Sequence, residues 1–142
     1  MSASIYIHWP GCSSEQQAGH PGFDQDDHPY ATWVTALQKS ARAQAVLRTM
    51  GVDALLCVGL LGDRESKMSY TTPSQLKFAA LSLCSALQTG DTNAVELLGL
   101  YVHGPGELSP TEELTCDLTN VAAIADHAAT QGARQITLLV GW

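Results

Sequence analysis

Apolar positions along the chain change their spacing several times, and each change marks an expected element. The clearest pattern lies in residues 72–90, where Leu76, Ala79, Ala80, Leu83, Cys84 and Leu87 recur at helical spacing and form one stripe. Both ends of this helix are written into the chain. Thr72 is a hydroxyl cap, Pro73 suits the first helical position, Gln75 sits where a capping-box partner reaches back, and Gly90 closes the far end. Lys77, Ser85 and Gln88 fall away from the stripe. Phe78 and Leu81 also stray onto the far side, which predicts a helix covered on much of its circumference.

Upstream, residues 4–9 alternate, with Ile5, Ile7 and Trp9 on one side and Tyr6 and His8 on the other, as in a half-buried strand ended by Pro10-Gly11. Residues 11–29 then turn polar and acidic, rich in Gly, Pro and Ser, with Phe23 the one large apolar side chain. A connection this long inside a compact domain is commonly functional or mobile. Residues 30–50 predict one long helix with Tyr30, Trp33, Val34, Leu37, Ala41 and Ala45 along one side, ended by Gly51. The run 52–61 is almost continuously apolar. It reads as a strand buried on both faces, although periodicity alone also fits a short buried helix.

Residues 94–103 read as another strand, leading to a turn at Gly104-Pro105-Gly106. Ser109, Pro110 and Glu112 repeat the helix-start grammar of Thr72, and Leu114, Leu118, Val121, Ala122, Ala125, Ala128 and Ala129 share the face that follows. The stretch around Thr115 and Asp117 offers an alternative break, with Asp117 capping a second helix. In the last run Ile136, Leu138, Val140 and Trp142 alternate with Gln135 and Thr137, giving a terminal strand. The expected fold is a single α/β domain over residues 1–142 in β-α-β-α-β-α-β order. A four-stranded mixed or mostly parallel sheet carries about three helices packed on it.

Composition narrows the classes. An apolar content of 45% over 142 residues suits an ordinary globular domain with its own core. Seven basic against fourteen acidic side chains give a formal net charge of −7, which disfavours phosphate backbones and favours a basic protein partner. The first residues lack the basic-then-apolar grammar of a signal peptide, and no run approaches a membrane span. Cys12, Cys57, Cys84 and Cys116 are widely spaced, with Cys57 and Cys84 inside apolar runs. They read as reduced thiols in a cytoplasmic protein.

Candidate chemistry is sparse. Cys12, His20 and His28, with His8 and Asp24, Asp26 and Asp27 nearby, lack the ordered spacing of a zinc site, and the acidic loop lacks the glycine and distal Glu of an EF-hand. No metal or cofactor is expected. His103, beside a turn at a predicted strand end, is the best single acid or base, with Cys12 or Asp24 as helper if the chain is a small α/β enzyme. Neither a nucleophile elbow nor a glycine-rich phosphate cradle occurs. The opening SIYIHWPGC is similar to the strand that precedes the cluster cysteines of radical-SAM coproporphyrinogen dehydrogenases. The likeness stops at Cys12, because residues 13–17 supply no further thiol.

Acidic residues cluster on predicted loops: Asp24, Asp26 and Asp27; Asp63 and Glu65; Glu107, Glu112 and Glu113. In size, acidity, helix-on-sheet layering and want of catalytic motifs, the chain resembles the immunity proteins of bacterial toxin-immunity pairs. The resemblance implies a non-enzymatic module that neutralises a cognate toxin. It also implies that Asp24, Asp26, Asp27, Asp63 and Glu65 contact Lys or Arg on that toxin. The rival expectations are the His103-centred enzyme and an oligomer-forming subunit.

Overall fold

The computed structural model describes residues 4–11, 29–60, 68–102 and 107–141. Strand β1 (Ser4–His8) is followed by helices α1 (Pro29–Lys39) and α2 (Ala41–Met50), a 3-10 turn (Asp53–Leu56) and strand β2 (Val58–Leu60). Then come α3 (Pro73–Thr89), α4 (Thr92–Leu98), α5 (Pro110–Thr130) and strand β3 (Thr137–Gly141). The expected four-stranded sheet with three helices is therefore overturned. Among the described residues there are five α-helices and a three-stranded sheet, and helix dominates.

Three local causes account for the difference. Within the strand expected at 94–103, the described residues 94–102 form no strand, because Asp91 starts a new helix: its Oδ1 accepts the Asn93 and Ala94 N–H groups at 2.9 and 3.2 Å. Ala94 and Leu97 then go inward, three apart, while Val95 stays exposed. Residues 30–50 are two helices, because Ser40 leaves helical geometry at φ −111°, ψ 110° and its Oγ accepts the Ala43 N–H at 3.1 Å. The break re-phases the second half. Ala43, Val46 and Leu47 are buried, while Ala41 and Ala45, expected inside, face solvent. Within the run 52–61, the described residues 52–60 hold the 3-10 turn and a strand of only three residues. Gly59 permits a close approach there: a Cβ would lie 2.9 Å from Met68 Cγ and 3.1 Å from Leu139 Cδ2, so a larger residue would have to displace those side chains.

The sheet order is β1-β3-β2, with β1 antiparallel and β2 parallel to the central β3. Ile7 and Val58 both pair with Leu138, and a bridge from Thr71 to Ile136 extends the edge. Every side chain from Ile136 to Val140 is buried, and Thr137 satisfies its hydroxyl by donating to the Cys57 carbonyl at 3.1 Å. Against this sheet packs one continuous core drawn from all five helices.

The two helix starts with full grammar form as expected. Thr72 Oγ1 accepts the Gln75 N–H at 3.1 Å, and Gly90 adopts the left-handed conformation at φ 73°. Ser109 and Glu112 make a complete capping box. Residues 110–130 run unbroken, so Asp117 is not a cap but a buried position on the inner face of α5. Trp33 donates its indole N–H to the Leu97 carbonyl at 3.0 Å, tying α1 to the end of α4. The longest packing surface is that between α3 and α5. These two helices position both features considered next.

Candidate functional site

Two places combine exposure or charge in a way that a plain core does not require. The first is the outer face of α3. Its inner stripe of Leu76, Ala79, Ala80, Leu83, Cys84 and Leu87 is buried. The same helical pitch turns Phe78 and Leu81 outward, and they are 66% and 42% exposed. The expectation that this helix is covered around much of its circumference is thus not met.

Open hollows lie on either side of Phe78. One, of about 550 Å³, runs between α3 and α5 and is floored by Ser82, Ser85, Ala125 and Ala129 beside Leu81. The other, of about 450 Å³, is walled by Gly51, Asp53, Ala54, Cys57 and Gln75. Ser74 and Phe78 line both, so the two hollows form one surface divided by a phenyl ring. The floor is of small side chains. Lys77 Nζ meets Asp126 Oδ1 at 3.0 Å across the first hollow. Both groups are largely exposed, and such a pair stabilises by only about 0.2–1 kcal/mol, so it opens readily to another charge. Burial first, and the Asp53 charge second, push the Cys57 thiol up. It borders the hollow as a thiol and not as a ready nucleophile.

The second feature is buried. Tyr101, just after α4, directs its hydroxyl to Asp117 Oδ2 at 2.5 Å and Glu113 Oε1 at 3.0 Å. Glu113 and Asp117 are one turn apart on α5, so the phenol spans adjacent rungs of a single face. Asp117 is only 6% exposed, and its carboxyl is raised to about 6. Desolvation is the main cause and the Glu113 charge adds to it, while the bond from Tyr101 pulls the other way. The Tyr101 and Tyr30 phenols are both pushed upward, mainly by burial and further by the Asp117 carboxylate. Tyr30 meets Trp33 at a tilt and Trp33 meets Tyr101 edge-to-face, with centroids 5.4 and 6.3 Å apart, and they wall this cluster from the α1 side.

No family model matches the chain, and no curated protein or solved structure matches it at a significant level.

The residues singled out from sequence fare unevenly. Asp24, Asp26, Asp27, Asp63 and Glu65 lie outside the described residues, as do Cys12, His20, His28, His103 and most of the acidic loop at 11–29. The third acidic cluster is dispersed in role: Glu112 serves the capping box and Glu113 meets Tyr101, while Glu107 is exposed. Among the described residues no three His, Cys, Asp or Glu side chains are grouped to hold a metal ion, and no helix is long and apolar enough to cross a membrane. Phe78 and Leu81, off the apolar stripe in the sequence, are exposed and not covered as expected. Asp117 was not among the expected site residues; its signal in the sequence is a carboxylate at an apolar-stripe position beside Leu114, Leu118 and Val121.

Proposed function

We propose that this chain is a non-enzymatic protein-binding module that docks a basic partner across the outer face of α3, in the manner of an immunity protein neutralising a bacterial toxin. The observation that carries the reading is Phe78. A phenyl ring held 66% exposed on a well-capped helix, between two hollows floored by small side chains, is a typical anchor for a protein partner. Fixing that ring on a rigid helix lowers the entropy lost on association.

Charge supports the sign of the partner. The chain carries a formal −7, and Asp53 and Asp126 stand on the rims of the two hollows. An anionic surface steers a cationic partner and speeds encounter, while the apolar centre holds it once docked. The acidic residues Asp24, Asp26, Asp27, Asp63 and Glu65 add to that field and are proposed as contacts to Lys or Arg.

The test begins with the gene immediately upstream, which this reading expects to encode a secreted protein with a C-terminal toxin domain, and pairs the purified chain with that domain. The expected result is a stoichiometric complex that abolishes the toxicity of that domain, with an association rate that falls as salt rises. A domain that remains fully toxic, with no complex at micromolar concentrations, would contradict the proposal.

A further inference from the structure

The four cysteines stand far apart in the sequence, yet the packing of α3 on α5 gathers two of them. Cys84 belongs to the inner stripe of α3 and is buried, while Cys116 is exposed on α5. Across the helix pair, Cys84 Sγ approaches the Thr115 carbonyl oxygen at 3.7 Å. That carbonyl is part of the peptide link joining Thr115 to Cys116, so the buried sulfur sits one link from the second cysteine. Burial pushes the Cys84 thiol up, a hydrogen bond with Thr119 pulls it down, and a charge on Cys116 pushes it up again. Thr119 also donates its hydroxyl to the Thr115 carbonyl, at 2.9 Å. Cys84 therefore meets the turn of α5 that carries Cys116 on both sides of that residue. Cys57 lies elsewhere, in the hollow with Gly51 and Asp53.

We propose that Cys84 and Cys116 form a dithiol that hydrogen peroxide closes into a disulfide, stapling α3 to α5. Exposure sets the order of events. Peroxide reaches Cys116, its O–O bond breaks, and the Cys116 sulfur becomes a sulfenic acid (S–OH) as one water leaves. The Cys84 sulfur then attacks the Cys116 sulfur. An S–S bond forms, the S–O bond breaks, and a second water carries away the Cys84 thiol hydrogen. Each sulfur gives up one electron, and the peroxide takes both.

Burial keeps Cys84 a thiol and slows its attack, but the packing already holds it beside its target, which offsets that cost. The exposed Cys116 side chain supplies the movement, since surface side chains change rotamer freely. The closed form joins residues 84 and 116, and the loop between them contains all of α4. Fastening the two ends of that loop restricts the unfolded chain, so oxidation stabilises the fold. The staple does not depend on partner binding.

The deciding experiment treats the reduced chain with a slight excess of hydrogen peroxide, maps the products by mass spectrometry and follows urea unfolding. The expected product is a monomer lighter by two hydrogen atoms, with Cys84 linked to Cys116. Its urea midpoint should rise, and should return to the starting value on reduction with dithiothreitol. Cys116→Ser, at an exposed position, should form no link and leave Cys84 unmodified. Cys84→Ser should leave Cys116 as a sulfenic acid or a higher oxide, and Cys116→Ser keeps the test decisive if that variant does not fold. An unreacted chain, a link through Cys12 or Cys57, or a dimer joined through Cys116 would each overturn the staple. So would Cys116 oxidised beyond sulfenic acid while Cys84 stays a thiol, or a Cys84–Cys116 link that leaves the midpoint unmoved.

Discussion

The two faces of α3 share one helix and one pair of caps, and both carry large apolar side chains, yet these meet opposite surroundings. Leu76, Ala79, Ala80 and Leu83 vanish into the contact with α5 and the rest of the core, while Phe78 and Leu81 stand exposed beside a hollow floored by serine and alanine. For Phe78 and Leu81 hydrophobicity does not decide burial; tertiary cover does. An apolar side chain that the fold has no use for costs solubility, and its position on a rigid helix suits it to a partner instead. On this account the inner face supplies stability and the outer face supplies recognition, so substitutions on each should move different observables.

The largest effect is expected on the inner face. Leu83→Ala leaves a cavity in a site with no solvent access and should destabilise folding by roughly 2–5 kcal/mol, read as a lower urea midpoint with an unchanged m-value. A loss below about 1 kcal/mol would mean that α3 is less firmly packed than its burial implies. Next comes Asp117, whose effect depends on pH. Its folded pKa of about 6 stands above the ordinary 3.8, so the stability it contributes is full below that ordinary value and is lost as pH rises through about 6. Asp117→Asn imitates the protonated carboxyl and lacks this slope. The melting temperature of the variant should gain on the wild type between about pH 4 and 7, and a constant difference would contradict the burial of a titrating Asp117.

Smaller effects follow at the surface. Ser109→Ala removes the hydroxyl that accepts the Glu112 N–H at 3.2 Å and should cost about 1 kcal/mol, measured by chemical denaturation. Lys77→Met breaks the exposed pair with Asp126 and should change stability by less than about 1 kcal/mol. The smallest stability change belongs to Phe78→Ala, within about 0.5 kcal/mol, because the ring buries little on folding.

How much of this was legible in the chain follows from where each signal resides. Local grammar was readable: Thr72-Pro73 with Gly90, and Ser109-Pro110 with Glu112, mark helices that form where they were expected. Signals embedded in apolar runs were not. Asp91 directly follows the cap Gly90, yet its carboxylate begins the next helix, so the strand expected at 94–103 opens instead as the second half of α4. Ser40 sat inside a long helical pattern, and only its extended backbone reveals that the pattern restarts there. Losing those two boundaries turned five helices into three and added a strand.

The site was legible to a lesser degree, for a different reason. Phe78 and Leu81 could be recognised as off the stripe by counting, but whether another element covers them depends on how α3 and α5 pack, which no local window contains. Asp117 shows the same limit from the other side. Its place among Leu114, Leu118 and Val121 announces a buried carboxylate, while its partner Tyr101 arrives from beyond α4, sixteen residues earlier.

The central claim is that the outer face of α3 binds a partner and does little for folding. It is tested most directly by calorimetry of wild type and Phe78→Ala against the same partner domain, with urea unfolding of both proteins alongside. The expected result is affinity weakened about tenfold or more, with nearly superimposable unfolding curves. Unchanged affinity, or a loss of affinity that merely tracks a loss of folded protein, would contradict it.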